Sequence, residues 1–154
     1  MKKFWGILIF ASLILSACDP GLIYEENNAI SNRTWNSNER IPFEFEIQDT
    51  INSYNIYLNI RNAKTYAYAN LYVFYHTYLP DGTYDMDTLQ FILAEPSGKW
   101  IGNSSGDLIT NQVLFRRKIQ FPQAGKYRFE VEQGMRDTDL EGISDIGLRV
   151  AKSE

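Results

Sequence analysis

The chain has 154 residues, a formal net charge of −4, 14% aromatic residues, one cysteine and one histidine. That length supports one domain with a sizeable core, and the acidic balance argues against nucleic acid and against electrostatic binding to anionic lipid. A lone cysteine excludes a disulfide framework, so stability has to come from apolar packing.

The first predicted element is an export signal. Lys2 and Lys3 precede an apolar run from Phe4 to about Leu15, and Leu15-Ser16-Ala17 leads into Cys18. Charged, apolar and small-residue regions in that order form a secretory signal. The run is shorter than the roughly 20 apolar residues of a spanning helix, and Asp19-Pro20-Gly21 stops it. Leu-Ser-Ala-Cys resembles a bacterial lipoprotein signal, which implies cleavage before Cys18 and lipid on its thiol. One acyl chain gives only marginal binding; the diacylglycerol of bacterial lipoproteins makes a stable anchor. Residues 1–17 are therefore expected as signal peptide. Removing them leaves 137 residues, with 13 Lys and Arg against 19 acids.

Residues 18–40 are expected to be the lipidated cysteine and a polar tether, with Ile30 and Trp35 docking on the body. A β-domain is expected over residues 41–154. Ile41, Phe43, Phe45 and Ile47 alternate with polar residues, a strand with one buried face, and Pro42 points to an edge. Tyr54, Ile56, Leu58 and Ile60 repeat the pattern. Asn70 to Leu79 is apolar on both faces, which fits a central strand or an outer aromatic patch. Pro80-Asp81-Gly82 is a turn signal, and Asp87 to Leu93 completes a hairpin. Gly98 to Thr110 reads as a loop. Val113, Phe115, Arg117, Ile119 and Phe121 share one strand face, Tyr127, Phe129 and Val131 another, and Ile146, Leu148 and Val150 close the sheet. Seven short strands with turns between them predict an all-β antiparallel β-sandwich, immunoglobulin-like or jelly-roll.

Chemistry is sparse. His76 alone would have to serve as base for a nucleophile, and it sits mid-strand among tyrosines, so a packed or surface histidine is the reading. Neither G-x-G-x-x-G nor G-x-x-x-x-G-K-[ST] occurs. Asp81, Asp85, Asp87 and Glu95 surround the hairpin, but acids beside a turn are usually solvated strand ends. A calcium site from the first three departs from EF-hand spacing. No catalytic residue, metal or cofactor is expected, and the chain reads as a non-enzyme. Asp107, Arg117, Arg136, Asp137, Asp139, Glu141 and Asp145 make a charged set in the C-terminal loops, either a loop-fixing ion-pair network or a partner-binding rim. An inward Arg117 would need a carboxylate partner. Tyr57, Tyr72, Phe74, Tyr78 and Trp100 are either core or an exposed stripe suited to protein or glycan.

Asp87-Thr88-Leu89, Gly98-Lys99-Trp100-Ile101-Gly102 with Gly106-Asp107, Phe121-Pro122-Gln123-Ala124-Gly125-Lys126-Tyr127, Glu132-Gln133-Gly134-Met135-Arg136, Leu140-Glu141-Gly142-Ile143 and Asp145-Ile146-Gly147-Leu148 stand in order along the chain. Together with Cys18 they resemble the gliding-motility lipoprotein family GldH of Bacteroidota, over nearly the whole chain. The resemblance implies a non-enzymatic lipoprotein of the gliding machinery that also serves type IX secretion. It implies envelope lipoproteins or motility and secretion proteins as partners; the choice of membrane stays open, with the outer membrane facing the periplasm favoured. Candidate partner-binding residues are Trp100, Asp107, Met135, Arg136 and Asp145. Asp49-Thr50-Ile51 and Asp87-Thr88-Leu89 resemble the O-glycosylation acceptor of exported Bacteroidota proteins, making Thr50 and Thr88 candidates. A glycan-binding lipoprotein is the alternative function.

Overall fold

A computed structural model describes residues 19–154. The expected signal peptide and Cys18 lie outside the described residues. The strands in chain order are β1 (Leu22–Ala29), β2 (Thr34–Asn36), β3 (Arg40–Ile47), β4 (Tyr54–Ala63), β5 (Asn70–Tyr78), β6 (Tyr84–Ile92), β7 (Asn103–Ser105), β8 (Leu108–Ile119), β9 (Gly125–Gln133), β10 (Asp139–Glu141) and β11 (Ile143–Lys152). A 3-10 turn, Ser31–Arg33, joins β1 to β2. The fold is all-β, with antiparallel sheets packed as a sandwich. One sheet has the order β1-β11-β4-β8-β7, the other β3-β9-β5-β6, and β10-β2 forms a small ribbon.

Period-2 alternation builds the core. Ile41, Phe43, Phe45 and Ile47 of β3 are buried, as are Tyr54, Ile56, Leu58 and Ile60 of β4, Tyr127, Phe129 and Val131 of β9, and Ile146, Leu148 and Val150 of β11. Phe129 packs edge-on to Phe45 at 4.9 Å and to Tyr75 at 5.0 Å between ring centres. Pro42 lies on the edge strand β3, where its missing N–H costs no ladder bond. β5 is central, between β9 and β6, and its outer face is aromatic as well, so both readings of this strand hold together. The Pro80-Asp81-Gly82 hairpin forms, with Asp81 Oδ1 accepting from Thr83 N (2.8 Å) and Gly82 at φ 85°.

The expected tether is corrected. From Leu22 onward, most of residues 18–40 belong to the body: β1 runs the length of β11, and Trp35 is fully buried in the core. An edge strand needs apolar residues on one side at most, so LIYEENNA carries little periodic signal. Its polar groups form a cross-strand ladder instead. Asn59 Nδ2 donates to Glu25 (3.0 Å) and Asn27 (3.1 Å), and Gln112 Nε2 donates to Asn59 (3.0 Å). The ladder crosses β11 at Gly147, where a Cβ would lie 1.9 Å from Asn27 Oδ1.

Three further differences have local causes. Arg117 is exposed, because two irregularities in the β4–β8 pairing, between Tyr54 and Tyr57, shift the phase of β8 after Phe115. The expected loop from Gly98 to Thr110 contains β7 and the start of β8, joined by a tight turn at Gly106-Asp107. The Met135 to Ile143 connection contains β10, which pairs with β2 through Leu140 and Trp35.

Candidate functional site

Strand pairing sorts the loops to two ends. β11 meets β4 at Ile143–Asn62 on one side and Lys152–Tyr54 on the other. Ten residues at about 3.3 Å each separate these ends by roughly 30 Å. Asp19 and the loops 48–53, 79–83 and 117–124 lie at the Lys152 end. The loops 30–39, 63–69, 93–102, 105–107 and 133–142 lie at the Ile143 end.

The Ile143 end is tied together by polar contacts. Arg33 Nη1 pairs with Asp107 at 2.6 Å, and this guanidinium holds the Asp107 carboxyl below the usual carboxylate range. The Gly142 amide donates to the Arg33 carbonyl (2.7 Å), and the Lys64 amide to the Asp107 carbonyl (2.9 Å). Tyr68 Oη donates to Asp137 at 2.5 Å, and that bond pushes the phenol up. Asn36 Nδ2 donates to Asp139 (2.7 Å), and Gln133 Nε2 to the Asp137 carbonyl (2.7 Å). Arg61 faces Asp145 at 3.6 Å. Asp107, Asp137 and Asp139 thus fix loops, and Asp145 pairs across β11 and β4. Arg117 lies at the other end, and Arg136 and Glu141 have no ion pair among the described residues.

The candidate partner residues all belong to this end, in two groups. Met135 is half-buried beside the outer face of β5, its Sδ accepting from Tyr72 N at 3.3 Å. Arg136 follows it, exposed and without an ion pair among the described residues. Trp100 is half-buried against the core and bridges Ala94. Asp107 and Asp145 stand on the side of the five-stranded sheet, paired with Arg33 and Arg61. Sequence reasoning did not single out Ile92 and Ile101, which are 54% and 56% exposed beside this end. Nor did it find Arg33 and Arg61, whose roles depend on partners distant in sequence. The signal for Ile92 was present: it lies on the face of β6 that shares a sheet surface with Tyr72.

That surface is the outer face of the four-stranded sheet. Tyr72, Phe74, His76 and Tyr78 of β5 stand beside Gln90, Thr88, Met86 and Tyr84 of β6. β6 is an edge strand, with no strand on its other side among the described residues. His76 is buried here. Its Nδ1 lies 2.9 Å from Tyr84 Oη and its Nε2 3.2 Å from Glu132, which also accepts from Arg40 Nε (2.9 Å). Tyr78 Oη donates to Glu130 (3.3 Å). Both ring nitrogens of His76 are thus taken by a phenol and a carboxylate, an arrangement that clamps β5 to β6 and β9 and presents no nucleophile. Tyr78 and Tyr84 are tilted 39° to each other rather than coplanar.

The hairpin acids are spread out. Asp81 caps its turn, and Asp87 pairs with Arg116 at 2.7 Å, which holds the Asp87 carboxyl low. This pair spans the mouth of a cleft of about 230 Å³ between the sheets, with Tyr75, Thr77 and Asp85 in its walls. Among the described residues, no three Asp, Glu, His or Cys side chains gather closely enough to hold a metal ion. Thr88 is exposed on β6, and Thr50 is half-buried in the loop after β3.

Comparison with known proteins finds relatives that match nearly the whole chain. A relative from Christiangramia forsetii, described as "Gliding motility lipoprotein GldH homolog", is 33% identical over 96% of this chain and 94% of its own length. "Gliding motility lipoprotein GldH" of Flavobacterium johnsoniae is 27% identical over 97% of this chain and 96% of its own length. Among solved structures, the infectious bursal disease virus VP2 subviral particle matches 84% of this chain and 30% of that chain at a TM-score of 0.36 and 17% identity, too remote to bear on this protein. The model of the GldH lipoprotein family matches residues 22–150, which includes β1 and the Ile143-end loops, and the chain belongs to that family.

Proposed function

We propose that this chain is a non-enzymatic assembly component of the gliding-motility machinery, linked to type IX secretion and tethered through lipid on Cys18 to the outer membrane facing the periplasm. The relatives' names supply the motility context. The observation that carries the reading is the Ile143 end. Its loops are fixed by the Arg33–Asp107, Tyr68–Asp137 and Asn36–Asp139 contacts, and beside them Tyr72, Ile92, Met135 and Arg136 are presented at the surface. A rigid apolar patch with an unpaired guanidinium suits a protein partner, since aromatic residues and Arg dominate such interfaces. The tyrosines favour protein over sugar for the same geometric reason: the Tyr78 and Tyr84 rings are tilted, and their hydroxyls are spent on Glu130 and His76.

The test is mild crosslinking in the native host, tagged recovery of the lipidated protein, and mass spectrometry. Enrichment of gliding or type IX components, lost with Arg136→Glu and with Cys18→Ser, supports the proposal. Recovery of polysaccharide without envelope machinery moves the assignment to a glycan-binding lipoprotein.

A further inference from the structure

The missing tether determines how the body meets the bilayer. The Gly21 carbonyl already accepts from Lys152 N at 2.8 Å, and the Asp19 carboxylate is paired with Arg149. Only three residue steps separate Cys18 from Gly21, a reach of about 10 Å. With lipid on Cys18, as proposed above and as this inference requires, the Lys152 end of the sandwich lies at the headgroups.

That end carries three exposed aliphatic side chains. Leu22 and Ile23 open β1 beside Ala151, and Ile51 is 83% exposed in the loop packed against the end of β11. Single exposed aliphatics are ordinary, but here Leu22 and Ile23 at the start of β1 stand at the same end of the sandwich as Ile51. The Ile51 loop is braced. Asp49 Oδ1 accepts from the Ile51 and Asn52 amides (3.0 and 3.1 Å), the Ile51 carbonyl accepts from Gln120 Nε2 (2.7 Å), and Ser153 N donates to the Ser53 carbonyl (2.8 Å). The loop therefore holds Ile51 outward.

Most charges here cancel: Arg149 pairs with Asp19 and Glu25, and Lys152 with Asp49. Arg117 and Lys118 have no ion-pair partner among the described residues, and they line an open depression of about 470 Å³ with Asp19, Arg149, Lys152 and Glu154. The acidic chain thus has a nearly neutral end with exposed aliphatics, on which the unpaired Arg117 and Lys118 stand with two equally unpaired acids, Asp81 and Glu154, a composition that suits the boundary between headgroups and acyl chains.

We infer that this end is a phospholipid-docking face. Leu22, Ile23 and Ile51 enter the headgroup boundary, Arg117 and Lys118 lie against phosphates, and the sandwich is held at a fixed orientation instead of swinging on its anchor. The test uses the full lipidated protein in vesicles of phosphatidylethanolamine and phosphatidylglycerol. Acylation occupies the Cys18 thiol, so Ile51→Cys supplies the only free thiol for an environment-sensitive fluorophore, and Ser104→Cys labels the opposite end. The label at position 51 should be blue-shifted and quenched by headgroup-region spin-labelled lipid at least about threefold more than the label at 104. Arg117→Glu with Lys118→Glu should lower that quenching. Equal quenching at both positions in protein that floats with the vesicles overturns the docking face and leaves the anchor standing. Protein that fails to float overturns the anchor, and the docking face with it. If Ile51→Cys does not fold, Ile23→Cys reads the same face.

Discussion

Replacing Trp35 with alanine separates a body that begins at Leu22 from one that begins at Ile41. On a tether, the change would move stability by no more than about 0.5 kcal/mol. In the fold, Trp35 is fully buried, sits opposite Leu140 in the β2–β10 ribbon, and donates its indole N–H to the Glu39 carbonyl at 3.0 Å. A buried tryptophan removes about 150–250 Å² from water, or roughly 4–6 kcal/mol at about 25 cal/mol per Å², an upper bound because unfolded chains are partly collapsed. The indole hydrogen bond adds about 1 kcal/mol, part of which water restores to Glu39 after truncation. The expected loss is therefore about 3–5 kcal/mol, as for other buried aromatic truncations. Urea unfolding of the mature chain carrying Cys18→Ser, followed by far-UV circular dichroism, measures it. With a slope of about 2 kcal/mol per M the midpoint should fall by roughly 2 M. A loss below about 1 kcal/mol with an unchanged slope would refute the packing of residues 22–40.

Phe129→Ala should cost about 3–5 kcal/mol in the same assay, because the ring is buried among Phe45, Tyr75 and Tyr127; a loss under about 1 kcal/mol would mean that β9 buries its other face. Gly147→Ala should cost about 1–3 kcal/mol, since the new Cβ meets Asn27 Oδ1 and the Glu26 carbonyl and forces β1 off its ladder; faster proteolysis between residues 19 and 40 would report the same event, and unchanged cleavage would count against it. Arg136→Ala should leave the urea midpoint within about 0.5 kcal/mol of the parent while reducing recovery of the partner; a drop in stability with recovery intact would make it a loop-fixing residue. Acid should destabilise the protein. Asn52 and the Ile51 amide hold the Asp49 carboxyl low, Arg116 does so for Asp87 and Arg33 for Asp107, so their stabilisation is present above the unfolded carboxylate value of about 3.9 and is lost as pH falls through the lower folded values. A urea midpoint that rises between about pH 4 and pH 2 would contradict that sign.

The body strands were legible because each carries one buried face: Ile41-Phe43-Phe45-Ile47 and Tyr54-Ile56-Leu58-Ile60 can alternate only against a single core. β1 was not legible, since its outer residues Glu25 and Asn27 make cross-strand hydrogen bonds that composition records only as polarity. Ile30 and Trp35, which sequence placed on the body, were the visible part of that segment. Arg117 was misplaced because irregular pairing with β4 breaks the period-2 count after Phe115, a feature of the pair of strands and not of β8 alone. The Ile143-end charges were legible as a group. Their division into paired and unpaired members was not: Arg33 and Asp107, 74 residues apart, meet only because the Gly142 amide and the Lys64 amide bring both loops to one place.

The two ends are coupled through β11, which runs directly from the Asp145 contact at one to the Lys152–Asp49 contact at the other. A long tether would let Arg136 sample every height and angle above a membrane. With the anchor proposed at Cys18, three residues before the body, the antiparallel sheets would act as a stiff spacer of roughly 30 Å. Presentation of the Met135–Arg136 patch then depends on the same contacts that dock β1, namely Arg149 with Asp19 and Glu25, and Asn59 with Asn27. The acids and amides that recur in a segment that looks like a linker hold β1 on β11 and β4, so, on the proposed function, substitutions there should weaken partner recovery without touching the patch itself.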